Sequence, residues 1–124
     1  MKKIVSIFIS AAIVALFLAA CSWNPSVTEV PITAPWDKMD LPLKENARVW
    51  FSSHKELRVA HKGRRADVAE SYFKAIDKGG WKITEAPLMD ENIIINKYEK
   101  NGQRIMVKVN DFEGGAGVFI NFIN

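Results

Sequence analysis

Few residues in this chain are of a type that does chemistry, and their spacing narrows what that chemistry is. Among 124 residues there is one cysteine, Cys21, and there are two histidines, His54 and His61. A side-chain acid, base or nucleophile works only within a convergent set of groups. Ser52-Ser53-His54 sets hydroxyls beside an imidazole but lacks the nucleophile-elbow context of a hydrolase serine. Asn110-Asp111-Phe112-Glu113-Gly114 gathers oxygen ligands without the alternating acids and closing glutamate of a calcium loop. Gly114-Gly115-Ala116-Gly117 lacks the Lys-Ser/Thr that completes a phosphate loop. These stretches read as turns. The expectation is a protein that is not an enzyme and takes neither metal nor cofactor.

One charged cluster stands out. Lys55, Arg58, His61, Lys62, Arg64 and Arg65 crowd one short stretch, with Glu56 the single acid among them. If the second strand and the start of the following helix share an edge, these cations form a positive patch. Such a patch suits headgroup phosphates, anionic glycans or an acidic partner. A solvated face beside a helix start is the equal alternative.

The N-terminus carries the clearest pattern. Lys2 and Lys3 precede an uncharged apolar run from Ile4 to Leu18, followed by small residues, which is the layout of an export signal. The run is shorter than the roughly 20 apolar residues that a membrane-spanning helix needs. Leu18-Ala19-Ala20-Cys21 resembles the lipobox of bacterial lipoproteins. The resemblance implies cleavage after Ala20, diacylglycerol on the Cys21 thiol and acylation of the new amino group. Two or more acyl chains give stable membrane anchoring where one does not. Lipidation also explains a single unpaired thiol in an exported chain. Ser22, where an aspartate would favour the inner membrane, implies an outer-membrane location facing the periplasm.

Loss of residues 1–20 as a signal peptide changes the charge balance. The 17 basic residues lose Lys2 and Lys3, leaving 15 against 14 acidic ones, a net of +1. The basicity of the whole chain therefore gives no support to nucleic-acid binding. Residues 21–45 hold Pro25, Pro31, Pro35 and Pro42 and show no helical or alternating pattern, so they read as a lipidated cysteine with a Pro-rich tether. Within it, Trp23 lies two residues from the anchor, where an indole suits the headgroup level. Trp36 is expected to pack back on the domain.

Residues 46–124 read as one small α+β domain. Ala47–Phe51 and Glu56–Ala60 look like strands of a hairpin pairing Phe51 with Leu57 and Val49 with Val59, with Trp50 across from Arg58. From Arg65 to Lys78, Val68, Tyr72, Ala75 and Ile76 follow helical spacing, widened by Ala69 and Phe73. Gly79-Gly80 supplies the stop, and Gly63 or Asp67 the start. Trp81–Glu85 reads as a strand ended by Pro87. Asn101-Gly102 is the favoured type I′ pair. It sets Lys100 opposite Gln103, Glu99 opposite Arg104, Tyr98 opposite Ile105, Asn96 opposite Val107 and Ile94 opposite Val109, with a Glu99–Arg104 ion pair on the outer face. A last strand runs from Gly117 to Ile123. The fold class is α+β, one helix packed on a mostly antiparallel sheet, in the order ββαββββ.

Val68-Ala69-Glu70-Ser71-Tyr72-Phe73 followed by Gly80-Trp81 resembles small α+β lipoprotein domains of unassigned function. Those residues are core and cap positions, so the resemblance implies a fold and no activity. Together these readings point to a lipid-anchored envelope module that binds a protein partner without catalysing anything. The alternative is a small inhibitor or phage-exclusion lipoprotein that blocks an enzyme or an entry step.

Overall fold

A computed structural model describes residues 23–44 and 46–123. Seven strands form one sheet: β1 (Ala47–Ser52), β2 (Glu56–His61), β3 (Lys82–Ile83), β4 (Leu88–Met89), β5 (Ile93–Lys100), β6 (Gln103–Phe112) and β7 (Gly115–Ile123). The spatial order is β1-β2-β7-β6-β5-β3, with β4 also on β5, and every pairing is antiparallel. One helix, α1 (Arg65–Lys78), crosses one face. The expected α+β class and the expected helix both stand.

The β5–β6 hairpin follows from its turn. Asn101 and Gly102 both take positive φ (52° and 78°), the type I′ geometry whose twist matches the flanking strands. The register that this turn dictates is the one observed, from Lys100↔Gln103 out to Ile93↔Asn110. The expected Glu99–Arg104 ion pair does not form. Arg104 instead faces Glu85 at 4.0 Å, and Lys97 shares that carboxylate at 3.4 Å. Asn96 is the polar exception among the inward-facing residues of β5. It lies in the core face, buried, and its amide donates to the Tyr98 hydroxyl at 3.0 Å.

Two elements are shorter or differently capped than their sequence implies. The strand expected over Trp81–Glu85 shrinks to Lys82–Ile83, because the Trp81 amide still donates to Ile76 O at 3.3 Å while its ring is buried. The helix is capped by Arg64 in extended conformation, with no side-chain hydrogen bond, so neither Gly63 nor Asp67 fills that place. Gly79 and Gly80 end the helix as expected, their amides bonding to carbonyls of the last turn.

The core lies between the sheet and two covers. The helix buries Val68, Ala69, Tyr72 and Ile76 against Ile94, Tyr98, Ile105, Val107, Val109, Val118 and Ile120. The second cover is the segment read as a tether. Trp36, at 1% exposure, and Leu41 belong to the core, with Val30, Ile32, Met39 and Leu43 packed against it. Trp36 thus packs on the domain as expected, but residues 23–44 are a strap and not a spacer. The Val30 amide donates to Val49 O at 2.8 Å, covering the outer edge of β1. The Thr33 amide donates to Ser52 Oγ at 2.9 Å, and the Trp36 indole to Ser53 O at 2.6 Å. An extended strap of this kind also shields a sheet edge that would otherwise template another chain.

Candidate functional site

An extended strand separates cations that are neighbours in the sequence. Lys55 and Lys62 stand at opposite ends of β2, roughly 23 Å apart at the usual rise per residue. Arg58 points to the face that the helix does not cover and is held by Glu56 at 2.8 Å. Their hydrogen bond, the largest influence, holds the guanidinium's pKa above its ordinary value. Only Lys62, Arg64 and Arg65 come together, at the corner between β2 and α1, beside an open cleft of about 890 Å³. Acids answer them there. Arg64 meets Asp67 at 3.4 Å, and Arg65 meets Asp111 at 3.3 Å. The five cations Lys55, Arg58, Lys62, Arg64 and Arg65 therefore do not make one positive patch, because strand geometry divides them and carboxylates pair three of them.

The uncovered face of the sheet carries a feature that charge counting missed. Cross-strand register sets Phe51 beside Arg58, Arg58 beside Phe119, Phe119 beside Lys108 and Lys108 beside Ile95. This is a row of alternating apolar and cationic side chains across five strands. A β-bulge between Val49 and Phe51 breaks the alternation of β1. Arg58 then lies over both neighbouring rings, 5.2 Å from the Trp50 centroid and 4.7 Å from that of Phe51. Bulges re-aim side chains in this way. Trp50 also stacks on Phe112 at 6.1 Å and meets Phe119 edge-on at the same spacing, while Lys108 sits 5.0 Å over Phe119. Ile93, Ile95 and Met106 extend the face as half-buried residues. A partial signal was available in the sequence: among the positions of β5, β6 and β7 that face away from the core, Ile93, Ile95, Met106, Phe112 and Phe119 are apolar where solvent would favour polar residues.

The residues of chemical type are otherwise engaged. His61 is buried and shares a 2.6 Å hydrogen bond with the Tyr72 hydroxyl. Burial lowers its pKa to about 4 and pushes that of Tyr72 upward, so both are neutral at neutral pH. Both rings also border a shallow cleft of about 250 Å³ with Pro42, Asn46 and Ser71. His54 is exposed in the β1–β2 turn. Ser53 Oγ accepts the Lys55 and Glu56 amides of that turn, and Ser52 Oγ is bonded to Thr33. Of the acids near β7, Asp111 pairs Arg65 and Glu113 accepts from both the amide and the hydroxyl of Ser26. No group of three or more metal-ligating residues occurs among the described residues.

Glu113 introduces the other end of the strap. Arg48 Nη1 donates to Asn24 Oδ1 at 3.4 Å, Pro25 O at 3.0 Å and Val27 O at 3.4 Å, which clamps the strap backbone beside β1. Trp23 sits between the β6–β7 turn and Lys62. Gly115 makes room for it, since a Cβ there would collide with the His61 carbonyl and crowd the Trp23 indole nitrogen. Cys21 and the lipobox lie outside the described residues. Among those described, no helix is long and apolar enough to cross a membrane. The chain matches no protein-family model, and no curated protein or solved structure proves similar to it.

Proposed function

We propose that the chain is a lipid-anchored envelope lipoprotein, held through acyl groups on Cys21, that acts as a non-catalytic binding module for a protein partner. The observation that carries the binding half is the sheet face opposite the helix, where exposed Phe51 and half-buried Trp50, Phe119, Met106 and Ile95 are interleaved with Arg58 and Lys108. Aromatic and arginine side chains are the types that dominate the energetics of protein interfaces. The partner that suits them presents apolar side chains flanked by carboxylates. Support for the non-catalytic half comes from the histidines, one buried, neutral and bonded to Tyr72 and the other exposed in a turn. Support for the anchor comes from the lipobox and the lone thiol, and Ser22 favours the outer membrane.

The test is photo-crosslinking in intact cells from residues introduced at Arg58 and at Met106, with Lys38 on the strap side as the reference. Adducts to one envelope protein from both face positions, and none from Lys38, are expected. The absence of adducts from both face positions, or equal capture from Lys38, overturns the assignment of the face.

A further inference from the structure

The point at which the strap ends fixes how the domain meets the membrane. Trp23 is seated against the β6–β7 turn and Lys62, and Arg48 and Glu113 hold Asn24 to Val27 in place. Two residue steps separate Trp23 from Cys21, a reach of about 7 Å for a fully extended chain. No spacer is left to hold the domain away from its anchor. We infer that the end of the domain formed by Trp23, the β6–β7 turn and the β2–α1 loop rests on the lipid headgroups, with the strands directed away from the bilayer and the open sheet face presented sideways. This rests on lipidation of Cys21 as proposed above.

The occupant of this end is a lipid surface, and the covalent anchor rather than charge brings it there. Arg64 and Arg65 already have Asp67 and Asp111 beside them, and Lys62 shares its cleft with Glu113. The end therefore has no unmatched cluster of cations to draw it onto anionic lipid. Lys55 lies at the far end of β2 and stands clear of the bilayer, roughly 23 Å beyond Lys62.

Lys62 and Lys55 give a direct reading, because a lipidated Cys21 leaves an introduced cysteine as the sole thiol. The full lipidated chain, as Lys62→Cys or Lys55→Cys, is labelled with a fluorophore and placed in phosphatidylcholine vesicles containing headgroup-nitroxide lipid. Quenching severalfold stronger at position 62 than at 55 is expected, unchanged by added phosphatidylglycerol. Insertion of a Gly-Ser segment of ten residues between Ser22 and Trp23 is expected to abolish the difference. Equal quenching at both positions in an acylated chain, or a dependence on anionic lipid, overturns the orientation while leaving the anchor intact. Mass spectrometry of the N-terminal peptide distinguishes the other failure, since a chain without acyl groups on Cys21 overturns both.

Discussion

Burial leaves His61 with a neutral ring and one side-chain partner, Tyr72. Its folded pKa of about 4 lies below the ordinary 6.5 expected of the unfolded chain. Above pH 6.5 the ring is neutral in both states, and its burial costs nothing in protonation. As the pH falls below 6.5 the unfolded chain takes up a proton that the folded one refuses, so stability declines until about pH 4, where the folded ring protonates too. The full shift corresponds to a loss of about 3 kcal/mol across that window. Urea denaturation of wild type and His61→Gln between pH 7 and pH 4 reads this contribution as the difference between two curves. The wild type is expected to lose the extra stability on acidification, and a flat difference contradicts the argument. Of this pairing the sequence revealed only that a histidine ended a strand. That Tyr72 lay on the helix stripe was legible from its spacing, but which strand residue it met depends on where the helix crosses the sheet.

At the scale of elements, local signals and long-range packing divided cleanly. The β5–β6 hairpin was legible because Asn101-Gly102 carries its own geometry, and every expected register pair formed, although the Glu99–Arg104 ion pair did not. The helix was legible from one stripe and two glycines. The β1–β2 hairpin was legible only as far as Val49↔Val59, because the bulge moves Arg58 opposite Phe51 and Leu57 opposite Ser52. The strap was misread because its apolar residues, from Val30 to Leu43, follow the surface of the core and not any period of their own. Prolines that stiffen a spacer serve equally well in an extended segment bound to a sheet. Its energetic weight is concentrated in Trp36, which is almost fully buried, tilts against Phe122 at 5.2 Å and donates to Ser53 O. Trp36→Ala is expected to lower the stability of the domain by about 3–5 kcal/mol, the usual cost of truncating a buried aromatic. A chemical-denaturation midpoint checks it, and a change within about 0.5 kcal/mol, as for an ordinary surface substitution, is the result a dangling tether would give.

For the whole molecule, the consequence is a gradient of stability running across the sheet. β7 is flanked on both sides, by β2 and β6, and its inward residues Ala116, Val118 and Ile120 are fully buried. At the other side β3 and β4 are two residues each, and Ile83, Leu88 and Met89 are 49%, 59% and 73% exposed. Short strands blunt an edge against pairing with other chains, and they also open readily. The strap breaks the symmetry of this picture, because it closes the β1 edge with a backbone hydrogen bond and a buried tryptophan where β3 and β4 leave theirs open. Hydrogen exchange therefore ranks the amides in an order that sequence position alone does not give. Those of β6 and β7 are expected to exchange only through global unfolding, and those of β3 and β4 faster by orders of magnitude. The decisive amide is Val30, bonded to Val49 O. If residues 23–44 are part of the folded body, its protection matches that of the β1–β2 hairpin and rises and falls with global stability. If they were a spacer between lipid and domain, Val30 would exchange as fast as an unstructured peptide, and the domain would have the freedom to turn its open face in any direction relative to the membrane.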